Sequence, residues 1–167
     1  MKIGIFGGSF NPVHNMHKNI ALELIENGYL DTIIYVPTGD RYNKKGLISF
    51  KHRLNMVKLM TEGNDSLLVS DIGDSENHQY TYQVLDYFRS IYSYDDIYFI
   101  CGSDNLKYFD TWKKYQYILE CYKLLVIKRN SDNLDDILNK YKDCLENIII
   151  ADIGESEISS TNIRNHI

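Results

Sequence analysis

Proline and cysteine are both scarce in this chain, with two and three copies in 167 residues. Cys101, Cys121 and Cys144 are odd in number and lie 20 and 23 positions apart, which fits neither a disulfide framework nor a zinc or dithiol pattern. So sparse a set excludes a disulfide scaffold and points to a reducing, cytoplasmic compartment. Basic residues are also in deficit: 18 Lys and Arg against 23 Asp and Glu give a net charge of −5. That balance excludes a nucleic-acid partner held by phosphate neutralisation. No apolar run approaches the roughly 18 residues a bilayer span requires, so no membrane partner is expected. The opening MKIGIFGG is too brief to read as a secretory leader. With 44% apolar and 25% charged residues the composition is that of a globular protein rather than a disordered one. At roughly 150 residues per domain, the length predicts a single domain over 1–167.

What the chain does contain is an alternation of two periodicities. Lys2 to Phe6 is a short run apolar on both faces and followed by Gly7-Gly8, as expected of a strand buried in a parallel sheet. Met16 to Asn27 repeats at helical spacing, with Met16, Ile20 and Leu24 on one face, Ala21 and Ile25 beside them, and Gly28 at the C-cap position. Thr32–Val36 predicts a strand, Ser49–Glu62 a helix with Leu54, Val57 and Met60/Thr61 inward, and Leu67–Ile72 a strand. A helix over Thr81–Ile91, a strand over Ile97–Cys101 and a helical stretch carrying Trp112 and Ile118 come next. Leu124–Ile127, Leu134–Leu145 and Ile148–Ala151 complete the series as strand, helix and strand. Such alternation predicts an α/β fold: a Rossmann-like doubly wound parallel sheet of five or six strands with helices on both faces. In such a sheet, ligands bind beyond the carboxyl ends of the strands, where strand order reverses. The informative residues should therefore follow strands directly.

Gly7-Gly8-Ser9-Phe10-Asn11-Pro12-Val13-His14-Asn15-Met16-His17 does so. Two glycines let backbone N–H groups approach an anion, Ser9 adds a hydroxyl, and His14 and His17 lie three apart at a helix start. The stretch is neither a dinucleotide GxGxxG loop nor a GK[ST] phosphate loop. A histidine pair could hold a metal, but no third ligand stands at matching distance. At the far end, Ile158-Ser159-Ser160-Thr161-Asn162-Ile163-Arg164 repeats the theme, with hydroxyls at a helix start and Arg164 four residues after Ser160.

The first segment resembles the (H/T)xGH motif of the nucleotidyltransferase superfamily, in the GG[ST]F[DN]PxHxGH form of nicotinate-mononucleotide adenylyltransferases. Met16 stands where that form has glycine, and Asn11 where aspartate is commoner. The tail resembles the same family's ISSTxIR signature. Family members run further past that signature, whereas this sequence stops at Ile167. The last helix is accordingly expected to be a single turn, or supported by a partner, or the chain to be a shortened form. Between the ends, Gly102-Ser103-Asp104-Asn105-Leu106 with Trp112 resembles the family's GxDxL…W stretch. That resemblance implies Gly102 and Asp104 on the ATP ribose and Trp112 stacked on a pyridine ring. The plainer readings are a helix N-cap for Asp104 and a core indole for Trp112. Pro37-Thr38-Gly39 followed by Lys44-Lys45 resembles a family loop that carries lysine toward phosphate, with Lys44 the better match. Thr81-Tyr82 matches a pair that cradles the nicotinate group, and Arg129 a family arginine near the substrate phosphate. Arg53 reads equally as a site residue or a surface ion-pair partner, and His52, His78 and His166 carry no signal.

The resemblance implies transfer of AMP from ATP to nicotinate mononucleotide, giving the deamido-NAD dinucleotide and pyrophosphate. His14, His17 and Arg164 would be catalytic. Gly8, Ser9, Phe10, Lys44, Gly102, Asp104, Ile158, Ser159, Ser160 and Thr161 would hold ATP, and Thr81, Tyr82, Trp112 and Arg129 the mononucleotide. Mg²⁺ is expected on the ATP phosphates, since the sequence shows no carboxylate cage. Nothing in the sequence separates a nicotinate from a nicotinamide ring. Two other readings stand beside this one. A phosphopantetheine adenylyltransferase fits the length but not Trp112, Thr81-Tyr82 or a signature at the chain end. A non-catalytic nucleotide-binding module would tolerate Met16.

Overall fold

A computed structural model describes residues 1–40, 46–128 and 133–153. Six strands form one sheet: β1 (Lys2–Gly8), β2 (Thr32–Pro37), β3 (Leu67–Val69), β4 (Asp96–Gly102), β5 (Lys123–Ile127) and β6 (Ile148–Ala151). Their order is β3-β2-β1-β4-β5-β6, and every pairing is parallel. The chain winds outward from β1 in one direction and then from β4 in the other. The switch point therefore lies between β1 and β4, paired from Lys2↔Asp96 to Phe6↔Ile100.

Alternation along each strand splits the core in two. Ile3, Ile5, Ile97, Phe99 and Val126 face helices α3 (Thr81–Ile91), α4 (Ser103–Lys107), α5 (Tyr115–Cys121) and α6 (Leu134–Asn139). Ile33, Tyr35, Tyr98, Ile100 and Leu125 pack on the other face against Ile20, Ala21 and Leu24 of α1 (Asn15–Glu26) and Val57 of α2 (Phe50–Thr61). Gly4 lets Leu30 and Ile100 pack close to β1: a Cβ there would press on the terminal methyls of both side chains. Gly28 follows α1 at φ 81°, the left-handed conformation that ends a helix. No helix among the described residues is long and apolar enough to cross a membrane.

Three elements depart from the periodicity. The run Leu67–Ile72 stops pairing early, because the Ser70 hydroxyl accepts from the Ile72 N–H at 3.2 Å and turns the chain into a 3₁₀ turn at Ile72–Asp74. Trp112 is not helical: it follows a 3₁₀ turn at Phe109–Thr111 with extended backbone, and Lys114 at φ 55° breaks the chain before α5. The helix expected to reach Leu145 ends at Asn139, and the 3₁₀ segment Lys142–Asn147 that follows is non-helical at Cys144.

Helix α2 also turns a different stripe inward. Phe50, Arg53, Val57 and Thr61 are buried, whereas Leu54 is only half-buried.

Candidate active site

The loop after β1 is over-determined. Phe10 takes the left-handed φ of 47°, uncommon for a residue with a side chain, and its ring is buried against Phe6, Tyr35 and His17. The buried Asn11 amide donates to the Gly46 carbonyl at 2.7 Å, and its oxygen accepts from the Ile48 N–H at 3.0 Å. The Tyr35 hydroxyl reaches the His17 carbonyl at 2.8 Å.

Arg53 was not assigned a role by its sequence context, and its surface reading is wrong. The residue is fully buried. Its guanidinium donates to the carbonyls of Ile48 (2.6 Å), Ser9 (2.9 Å) and Thr38 (2.6 Å), with Asp40 at 3.4 Å. Burial pulls its pKa down, and the Asp40 carboxylate opposes that. One cation thus ties the loop after β1 to the ends of the β2–α2 connection.

The two histidines cap α1 with their rings. His14 Nδ1 accepts from the Met16 N–H at 3.3 Å, and His17 Nδ1 accepts from the His14 N–H at 3.0 Å. An imidazole nitrogen that accepts carries no proton, so Nε2 is the donating nitrogen of each neutral ring. The ring centroids are 4.0 Å apart. Imidazole N–H donors at a helix start are of the kind that suits an anion.

Two hollows open at the switch point. One, of about 200 Å³, is lined by Phe6, Ser9, Phe10, His14, Met16, His17, Cys101 and Gly102 among others. The other, of about 710 Å³, runs from the β2 end past Tyr80 and Thr81 to Trp112 and Lys113. They share Gly7, Gly8, Ser9 and Asn105. A Cβ at Gly7 or Gly8 would stand 3.5 Å or more from its neighbours, so the fold itself does not demand glycine at either position. Their bare backbone matters instead at the junction.

The chemistry of the walls is one-sided. Although the chain carries a net charge of −5, no Asp or Glu lines either hollow among the described residues, while His14, His17, His78 and Lys113 do. Thr38 Oγ1, on the larger cleft, is buried with no hydrogen-bond partner among the described residues. A buried polar atom of that kind usually has a partner, which a polar ligand can supply. Burial pushes the Cys101 thiol up to about 12, which removes it as a thiolate nucleophile.

Other expectations land unevenly. Gly102 lines the smaller hollow, but the exposed Asp104, in the first turn of α4, lines neither, and Asn105 lines both. Thr81 and Trp112 line the larger cleft. Tyr82 stands off it, beside Tyr80, with ring centroids 6.2 Å apart, and it is Tyr80 that faces the cleft. His78, which carries no sequence signal, lines the cleft with Nδ1 3.0 Å from the Ser75 hydroxyl. Lys44, Arg129 and the tail residues Ile158, Ser159, Ser160, Thr161 and Arg164 lie outside the described residues.

The cytidylyltransferase-like family model matches residues 5–166. A probable nicotinate-nucleotide adenylyltransferase of Clostridium tetani is 38% identical over 99% of this chain and 86% of its own length. One from Fusobacterium nucleatum is 37% identical over all of this chain and 88% of its own. A Plasmodium falciparum nicotinic acid mononucleotide adenylyltransferase, solved in complex with NaAD, superposes with a TM-score of 0.81 over 98% of this chain and 82% of that one, at 22% identity. That last likeness is one of fold, whereas the sequence matches run almost end to end. By both the family model and the relatives, the chain belongs to the cytidylyltransferase-like family and, within it, to the nicotinate-nucleotide adenylyltransferases.

Proposed function

We propose that this protein transfers the adenylyl group of ATP to nicotinate mononucleotide, forming the deamido-NAD dinucleotide and pyrophosphate. The observation that carries the reading is the junction of the two hollows at Gly7–Ser9 and Asn105. Two nucleotides seated in adjoining hollows bring their phosphates together where backbone N–H groups and imidazole donors converge. The relatives named above share the activity by name.

An oxygen of the mononucleotide phosphate attacks the α-phosphorus of ATP. A P–O bond forms, the bond to the β-phosphate bridging oxygen breaks, and pyrophosphate leaves. The nucleophile is already an anion, so no strong base is required, and with Cys101 held as a thiol no covalent enzyme intermediate is needed. Catalysis is positioning plus charge stabilisation. His14 and His17 donate to the α-phosphate region as negative charge moves toward the leaving group. Gly8, Ser9, Phe10 and Gly102 form the wall behind ATP, with Asn105 beside them. Ser160 and Arg164, within Ile158–Arg164, take the β- and γ-phosphates, and Lys44 adds a further cation. Trp112 stacks on the pyridine, Thr81 and Tyr80 flank it, and Arg129 meets the mononucleotide phosphate.

Among the described residues no three of His, Cys, Asp and Glu gather as a metal site. The described donor set therefore suits Mg²⁺ held by ATP oxygens rather than by a protein cage; bound there, the ion neutralises phosphate charge. The free cysteines support a reducing cytoplasmic setting. We assign the whole of 1–167 to one nucleotidyltransferase domain.

The test is pyrophosphate release from ATP with nicotinate mononucleotide, nicotinamide mononucleotide and phosphopantetheine supplied in turn. The proposal requires fastest turnover with the first. Release only with phosphopantetheine, or nucleotide binding with no release, overturns it.

A further inference from the structure

The larger cleft ends at a turn that carries Trp112 and two consecutive lysines. Their side chains part company. Lys114 places Nζ 4.7 Å from the centroid of the Tyr82 ring, off the cleft. Lys113 places Nζ 4.4 Å from the centroid of the Tyr80 ring, and both Lys113 and Tyr80 line the cleft. Tyr80 and Tyr82 lie nearly parallel, at 12°. The α3 entry is thus gripped by two cation–π contacts, and one of the two lysines, exposed at the rim, lines the cleft. Trp112, its neighbour in the chain, is half-buried and held edge-on by Phe99 at 5.7 Å. Trp112 and Lys113, neighbours in the chain, therefore line the same cleft.

From this placement, and resting on the function proposed above, we infer that Lys113 is the residue that selects an acidic ring substituent: its ammonium pairs with the carboxylate of nicotinate mononucleotide and gains nothing from the carboxamide of nicotinamide mononucleotide. The electrostatics of the cleft support the choice. No carboxylate of the described residues lines it, and Asp74 lies against Gly39 without lining it. His78, the other titratable side chain among its walls besides Tyr80, enters from the segment before α3. A ring bearing a negative charge finds a compensating cation and no opposing anion. A neutral amide finds no charge to answer. Charge discrimination of this kind is strongest where water is excluded, and a ligand filling the cleft excludes it.

The experiment compares kcat/KM for nicotinate and nicotinamide mononucleotides in the wild-type protein and in Lys113→Met, Lys113→Arg and Lys114→Met. Lys113 is exposed at the cleft rim, so its replacement leaves the core intact, and a thermal melt checks this. Lys113→Met is expected to raise KM for nicotinate mononucleotide about tenfold or more, the fold-change for losing a hydrogen bond between charged groups, with kcat little changed. Its kcat/KM for nicotinamide mononucleotide stays within about twofold, since no charged contact is lost there. Lys113→Arg restores most of the preference, and Lys114→Met keeps the wild-type ratio. An equal loss with both mononucleotides places the ammonium on the shared phosphate and overturns the inference, as does a ratio unchanged in Lys113→Met. If the wild-type protein turns over neither mononucleotide, it is the proposed function that fails. Turnover with an unaltered ratio sinks Lys113 alone.

Discussion

The guanidinium of Arg53 donates to the carbonyl of Ser9 at 2.9 Å, from a side chain with no solvent exposure at all. A residue on α2 thereby holds the backbone of the phosphate-facing loop, 44 positions earlier in the chain. The same group occupies the Thr38 and Ile48 carbonyls, so the loop after β1 and the ends of the β2–α2 connection are set by one cation.

Arg53→Met is expected to leave three carbonyls unpaired in a closed space. At about 1–3 kcal/mol for each such group, a loss of at least about 3 kcal/mol follows, read from the urea midpoint. Arg53→Lys keeps the charge but has no planar fork to serve all three carbonyls, and should fall between. Because Ser9 and Thr38 border the ligand hollows, kcat drops in Arg53→Lys under conditions where it is fully folded. A folded Arg53→Lys with wild-type kcat would reduce Arg53 to a stabiliser.

His14 does two things at once: it caps α1 through Nδ1 and presents Nε2–H. Asparagine is among the best N-cap residues and cannot present an imidazole N–H. His14→Asn should therefore retain helix stability while lowering kcat by about 10²–10³, the usual loss for one oxyanion donor. Equal losses of stability and rate would mean that the ring serves only as a cap.

Met16 lines a hollow of about 200 Å³. Ligand sites normally offer about 300–1,000 Å³, so this one is tight for an adenosine moiety. Met16→Gly should lower KM for ATP and leave KM for the mononucleotide unchanged, at a cost of up to about 1 kcal/mol in helix propensity. A raised KM for ATP would show that the thioether contacts the nucleotide.

What was legible in the sequence follows from where the chemical signal resides. The alternation of strands and helices was readable from the two periodicities, and the loop after β1 because glycines, hydroxyls and paired imidazoles are rare residue types at informative spacing; Gly8, Ser9 and both histidines do share one hollow. Arg53 was not readable. Its partners are mainly backbone carbonyls, which every residue carries, so no second residue announces the bond. The exchange of Tyr82 for Tyr80 at the cleft wall, and of Asp104 for Asn105, are shifts of one or two positions at a helix start. Periodicity fixes helix faces to within such a shift only once the cap is known. Trp112 was placed in a helix by apolar spacing, but Lys114 in the left-handed region breaks the chain just after it.

The last prediction concerns alkaline stability and a cluster away from the ligand hollows. Asp86 on α3 accepts hydrogen bonds from the hydroxyls of Tyr117, at 2.7 Å, and Tyr122. The bond to Asp86, followed by burial, pushes the Tyr117 phenol up to about 12. Tyr122 is raised further, by burial first and then by Asp86, while Arg89 opposes the rise. In the unfolded chain both phenols ionise near about 10. Below that pH both states keep the phenol protons and the contribution to stability is complete. Above it the unfolded chain releases protons that the folded protein retains, so stability falls with rising pH until the folded phenols ionise in turn. The expected outcome is a melting temperature that declines steeply from about pH 10 upward. Asp86→Asn removes the anion that holds the protons in place, lowers both phenols toward the ordinary value and makes the decline shallower. Phenolate absorbance followed through the same titration checks the assignment. Tyr117 and Tyr122 should titrate late in the wild type, together with the phenols of Tyr35, Tyr98 and Tyr141, which burial also raises. In Asp86→Asn, Tyr117 should titrate earlier and Tyr122, held up first by burial, should move part of the way, and identical titrations of the two proteins would refute the linkage.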